Sequence, residues 1–224
     1  MSQAAAVTLS NIAFAWRGSD PVLKIANFTA AQGERLFISG KSGSGKSTLL
    51  GLIAGVLTPN EGEAIVCGAN LNSLSAAKRD LFRAAKIGYI FQQFNLIGYL
   101  SILENVLLPR GFSLDRRGAI GEAEELLSRL GLAENLWRKK AANFSVGQQQ
   151  RVAAARALIG SPPILIADEP TSALDYDIKE DFLRLLFDEC DRAASTLLFV
   201  SHDRELARRF SREVKLAEIN EASR

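Results

Sequence analysis

The sequence is poor in the residues that build metal clusters and covalent staples. It holds two cysteines and one histidine in 224 residues. Cys67 and Cys190 are far apart and in no ligand spacing, so they read as small buried residues of a reducing compartment rather than a disulfide or a zinc module. Long apolar runs are also missing: nothing approaches the ~20 residues that cross a bilayer. Met1 to Thr8 has no basic region followed by an apolar run, so no secretory signal is expected. Charge of one sign is lacking as well. Lysine and arginine total 27 against 25 acidic residues, net +2, which gives no electrostatic reason to expect nucleic acid as a partner. There is no internal repeat and no low-complexity tract. These absences leave a soluble chain, held to a membrane only if another protein holds it there.

Hydrophobic residues make up 47% of the chain and charged residues 23%, enough for a sizeable core in one large domain or one domain with an inserted lobe. Alternation predicts strands at Val7–Trp16 and Val22–Ala30, and a short apolar strand at Glu34–Ser39. A helix from about Lys46 to Val56 follows, then a turn at Thr58–Gly62. A strand is expected at Gly62–Cys67, a helix at Ala76–Ala85 and a strand at Lys86–Phe91. From Gly98 to Asn143 strand signals give way to helical ones, with Leu126, Leu127 and Leu130 on one face. This reads as an inserted helical lobe. Beyond the helix that opens near Ser145, strands at Pro163–Ala167 and Thr196–Val200 flank a helix at Ile178–Arg192, and a last short helix and strand close the chain. The alternation predicts an α/β core with a largely parallel sheet.

Three strand ends carry polar groups suited to one reaction. Gly40-Lys41-Ser42-Gly43-Ser44-Gly45-Lys46-Ser47 is a P-loop between a predicted strand and a predicted helix. Its N–H groups from Ser42 to Ser47 would wrap phosphates with the help of the helix dipole. Lys46 would reach the β and γ phosphates, Ser47 would bind Mg²⁺, and Thr48 follows at the helix start. Asp168 and Glu169 end the apolar strand Pro163–Ala167. Asp168 suits the Mg²⁺ shell, and Glu169 could position and deprotonate an attacking water. His202, the only histidine, follows the strand Thr196–Val200, where a γ-phosphate sensor would be useful. Ser145-Val146-Gly147-Gln148 opens a helix with a good N-cap, which makes a second anion site.

Together these motifs resemble the nucleotide-binding subunit of an ATP-binding cassette (ABC) transporter over essentially the whole chain. Gly40–Ser47 matches its Walker A, Ile164–Glu169 its Walker B with catalytic glutamate, and Ser145–Gln148 its signature. Ser172-Ala173-Leu174-Asp175 matches its D-loop, His202 its switch histidine and Gln92 its Q-loop glutamine, which in the family contacts Mg²⁺. The resemblance implies a P-loop NTPase fold with an N-terminal antiparallel β subdomain and an inserted helical subdomain. The expected division is one domain over 1–224, with a core of about 1–97 and 160–224 and a helical subdomain of about 98–159. It also implies that two copies pair head to tail around two ATP, each γ-phosphate meeting Ser145, Gly147 and Gln148 of the partner, with Asp175 at the same junction.

The family stacks an aromatic residue on adenine. Trp16 stands at about that place, and Phe14, on the same predicted strand face, competes. The signature departs from the usual Leu-Ser-Gly-Gly-Gln: Phe144 replaces Leu, and Val146 replaces the first Gly. A helix first turn has negative φ, which valine tolerates, so a working but weaker site is expected. An integral membrane permease is the implied partner. The apolar residues Phe94, Leu96, Ile97, Tyr99, Leu100 and Ile102 read either as lobe core or as the groove that receives it. Residues 87–97 and 145–151 look like the lipoprotein-release and macrolide-efflux branch, with an importer ATPase or a non-transport regulator as alternatives. The implied location is cytoplasmic, on the inner face of the plasma membrane. No appended regulatory domain is expected after the last strand.

Overall fold

Gly40 to Ser47 sits where a parallel strand hands over to a helix, and the rest of the fold brings two further strand ends to the same place. A computed structural model of the chain describes residues 4–111, 116–172 and 174–223. In order, the strands are β1 (Ala5–Ala15), β2 (Pro21–Ala31), β3 (Arg35–Ser39), β4 (Glu61–Val66), β5 (Ala69–Asn70), β6 (Ile87–Ile90), β7 (Ile164–Asp168), β8 (Thr196–Val200) and β9 (Arg212–Lys215). The helices are α1 (Lys46–Ile53), α2 (Ala76–Lys86), α3 (Ile102–Leu107), α4 (Arg116–Arg129), α5 (Val146–Leu158), α6 (Tyr176–Arg192) and α7 (Leu216–Ile219).

The strands form two sheets. One is antiparallel, in order β2-β1-β4-β5; the other is parallel, in order β6-β7-β8-β3-β9. Side chains alternate across the parallel sheet, as strand geometry requires. Leu36, Ile38, Ile164, Ile166, Leu198 and Val200 face the antiparallel sheet and α1, where they meet Leu9, Ile25, Leu49 and Ile53. Phe37, Leu165, Ala167, Leu197 and Phe199 face α5 and α6, in one core with Val152, Phe182 and Leu186. Both faces are covered, so the strands are apolar throughout rather than alternating.

Two expected boundaries move for visible reasons. The helix after the P-loop stops at Ile53 because Gly55 takes φ 67° and the N–H groups of Val56 and Leu57 turn back to Gly51 O, a glycine stop just past the helix end. β1 ends at Ala15, one residue early: its register against β2 shifts between Phe14 and Ala15, and Ser19 N–H closes a turn on Trp16 O at 3.0 Å. Between Gly98 and Asn143 the described regular elements are α-helices and short 3-10 turns joined by loops, with no strand beyond one isolated bridge between Ser101 and Lys140. At Gly88 in β6 a Cβ would lie 1.9 Å from Ala157 O. Only glycine lets the end of α5 seat this closely on the sheet.

Candidate nucleotide site

The P-loop is shaped by its glycines and held by its lysine. Gly45, at the N-cap of α1, adopts φ 98°, and a Cβ there would strike Leu23 Cδ2 at 2.9 Å. No side chain caps α1, so its first-turn N–H groups lack an internal side-chain acceptor. Lys46 Nζ donates to Gly40 O and Lys41 O, both at 2.9 Å, and lies 3.9 Å from Glu169 Oε1. Its ammonium is thus buried inside the loop it would use to hold an anion. Ser44 Oγ is buried with no hydrogen-bond partner, an unmet need a phosphate-bearing loop can supply.

Asp168 ends β7 beside this loop. Ser47 Oγ donates to Asp168 Oδ2 at 3.2 Å, and the Tyr89 hydroxyl of β6 lies near enough to interact with the same carboxylate. Burial pushes the Asp168 carboxyl above its usual value, partly offset by the Ser47 bond and aggravated by the neighbouring Glu169 charge. A hard dication would relieve that cost, and Ser47 and Asp168 offer only oxygen, as magnesium requires. Burial first, then the Asp168 charge and bond, raise the Tyr89 hydroxyl as well, so it stays a donor. Tyr89 is stacked on Phe91 with centroids 4.3 Å apart.

Glu169 is held in a left-handed conformation, φ 47°, while its N–H donates to Val200 O at 2.9 Å. A non-glycine residue there costs about 1 kcal/mol or more and persists where surroundings enforce it. Its Oε2 meets His202 Nδ1 at 2.9 Å. The His202 loop is itself pinned: Lys179 Nζ on α6 reaches Asp203 Oδ2 at 2.6 Å, and that bond holds the Asp203 carboxyl below its usual range.

These groups share one cavity of about 630 Å³, lined by Trp16, Val22, Ser42, Gly43, Gly45, Lys46, Ser47, Thr48, Gln92, Asp168, Glu169 and His202. Gly40 and Ser44 line a separate hollow behind the loop. Trp16 and Phe14 do not share a strand face. Phe14 is buried at 6% exposure, whereas Trp16, past the strand end, is 50% exposed over the cavity; the rings meet edge-to-face at 5.1 Å. Val22, Tyr89, Lys179 and Asp203 escaped the sequence reading. Val22 and Tyr89 lay in predicted strands and Lys179 in a predicted helix, but their aim at the site follows from the order of the strands, which the sequence pattern does not give.

Ser145, Gly147, Gln148 and Asp175 do not line this cavity. Ser145 caps α5 in a reciprocal box: Gln148 N–H donates to Ser145 Oγ at 3.4 Å and Ser145 N–H to Gln148 Oε1 at 3.1 Å. The Ser-x-x-Gln spacing signals this arrangement. The hydroxyl accepts one bond and keeps its proton to donate elsewhere. Val146 takes the first helical position, 47% exposed. A Cβ on Gly147 would meet Ile178 Cγ2 of α6 at 3.1 Å. Asp175 is the exposed N-cap residue of α6 and makes no side-chain cap bond. Ala173 of the same motif lies outside the described residues.

A sequence profile described as "ABC transporter" matches residues 23–172, more than half of the chain. An uncharacterized ABC transporter ATP-binding protein of Mycobacterium tuberculosis, Rv0986, is 37% identical over 96% of this chain and 88% of its own. The corresponding protein MJ0796 of Methanocaldococcus jannaschii is 40% identical over 90% of this chain and 89% of its own. The macrolide export ATP-binding/permease protein MacB of a Shewanella species is 39% identical over 87% of this chain, which spans 30% of that longer protein. The dimeric, post-hydrolysis structure of MJ0796 with ADP and Pi superposes with a TM-score of 0.83 at 38% identity, covering 93% of both chains. With its fold, its P-loop and these likenesses in hand, the chain belongs to the ABC transporter family, as one of its ATPase cassettes.

Proposed function

We propose that this chain binds ATP with Mg²⁺ in the Trp16-to-His202 cavity, pairs with a second copy around two ATP, and spends the hydrolysis on moving a separate membrane permease. The observation that carries the reading is the convergence of Lys46, Ser47, Asp168, Glu169 and His202 on one cavity. In it Trp16 offers a π face to adenine, and the loop from Gly40 through Ser42, Gly43, Ser44, Gly45 and Thr48 surrounds the phosphates. Lys46 exchanges its carbonyl partners for β and γ oxygens. Ser47, Asp168 and Gln92 would hold Mg²⁺, which when bound spreads the charge of those phosphates. Glu169 orients and deprotonates the attacking water, and His202, bonded to Glu169, donates to the γ-phosphate.

Ser145, Gly147, Gln148 and Asp175 belong to the other half of the site, facing a partner's nucleotide. The domain reading is a single unit whose helical part, about 98–159, is inserted in a core of about 1–97 and 160–224. Among the described residues no helix is long and apolar enough to cross a membrane, so the permease would hold the subunit at the cytoplasmic face. The likeness to a macrolide export protein favours export or lipoprotein release over import. An importer or a signalling role remains the second reading, and the permease recovered with the subunit separates them.

The test is Glu169→Gln protein with ATP on a sizing column with light scattering. A doubled mass with ATP and not with ADP is expected. A monomer at every ATP concentration overturns the paired reading, unless Val146→Gly in the same background restores the dimer, which would place the fault in the signature.

A further inference from the structure

Helix α5 is attached to both catalytic loops. Gln150, fully buried, donates from Nε2 to Pro170 O at 2.8 Å, one residue past Glu169. Arg156, about three turns beyond Ser145, donates from Nη1 to Asn95 O at 2.7 Å and from Nη2 to Phe94 O. Those two carbonyls directly follow Gln92 and Gln93. Asn95 takes φ 50°, a conformation that gains from external support. Arg156 is half-buried, and burial lowers its pKa. Its fork is committed to backbone oxygens: among the described residues it makes no ion pair. A desolvated guanidinium facing two carbonyls is a costly way to hold a loop unless that loop's place matters.

We propose that Arg156 is a positioning residue for Gln92. It locks the loop after Gln92 to the helix that presents Ser145, so one rigid element sets Gln92 in its own cavity and the signature toward a second nucleotide. The inference rests on the reading of Gln92 as a Mg²⁺ contact. It favours the fork over the bare charge, because a planar guanidinium fixes the directions of both donors, whereas an ammonium on a flexible stem holds the same carbonyls less firmly.

The test compares Arg156→Lys, Arg156→Met, Gln92→Ala and the double variant Arg156→Met with Gln92→Ala in the full chain. The readings are ATPase rate against ATP and Mg²⁺, ADP affinity without Mg²⁺, and melting temperature. Arg156→Met is expected to lower kcat about ten- to a hundredfold and to raise the Mg²⁺ needed for half-maximal rate. ADP affinity without Mg²⁺ stays within about twofold, and Arg156→Lys falls between. In the Gln92→Ala background the arginine substitution adds nothing, as expected of residues acting as a unit. Effects that multiply in the double variant, a wild-type rate for Arg156→Met, or loss of the fold in both arginine variants overturns the proposal. A silent Gln92→Ala overturns the reading of Gln92 itself, and the inference with it.

Discussion

Helices α1 and α5 both begin where an anion is expected, yet their first turns are built in opposite ways. α1 starts from a left-handed glycine with no side-chain cap, a buried ammonium beside it and two carboxylates opposite. α5 starts from a closed capping box that already occupies Gln148 N–H and Ser145 N–H, with no acidic residue in its first turn. The donors left at α5 are the Ser145 hydroxyl and the N–H groups nearest it. The first site has the charge and cavity to hold a nucleotide alone. On the proposed reading, the second adds to the hold on a phosphate fixed elsewhere. That division suits a subunit that binds ATP first and pairs afterwards.

Lys46→Ala should break the comparison at its strong end. Losing a charged donor to phosphate is expected to weaken ATP binding about a hundredfold or more, roughly 3 kcal/mol, by calorimetry on the monomer. A tenfold smaller effect would mean the loop amides dominate. Gly147→Ala probes the weak end. Its methyl would crowd Ile178 Cγ2, an overpacking cost of about 1 kcal/mol at a half-open position. Monomer ATP affinity should not change, while ATP-driven pairing of Glu169→Gln protein weakens several-fold. Adding Ile178→Ala should restore it. No rescue would mean that the glycine is needed by the phosphate rather than by α6.

The smallest effect separates the two sites by pH. Burial raises the Asp168 carboxyl, so folding favours its protonated form. Stability from this group is full at low pH and is lost as pH rises through the folded-state value. Asp168→Asn should therefore melt slightly above wild type at pH 7 without Mg²⁺. The gap should close as pH falls toward the ordinary aspartate value of ~3.9. Added Mg²⁺ should stabilise wild type and not the variant. Ser145→Ala should show no such pH dependence.

The contiguous parts of the site were legible because each motif is a local instruction: a strand, a turn and a helix within a dozen residues. Lys46, Asp168 and Glu169 could be picked out by that rule alone. Trp16 and Phe14 could not be told apart, because the shift that removes Trp16 from the strand depends on register against β2. Tyr89 reaches Asp168 only because β6 lies next to β7 in parallel register. Lys179 and Asp203 meet across 24 positions of chain. Such contacts are set by topology, which periodicity does not encode. The stop at Gly55 was present in the sequence and outweighed by the apolar run around it.

Gly88 has a mechanical consequence. Its missing side chain roots the end of α5 against the sheet at Ala157, while Val146 at the other end stands in solvent. α5 is a cantilever. At ~1.5 Å rise per residue, its arm from Ala157 to Ser145 is about 18 Å. A tilt of about ten degrees at the root would sweep the tip by about 3 Å, the length of one hydrogen bond. With Val152 to Ala155 buried along that arm, such a tilt would have to carry its core neighbours with it, so a change at the tip would be felt in the packing of the whole lobe.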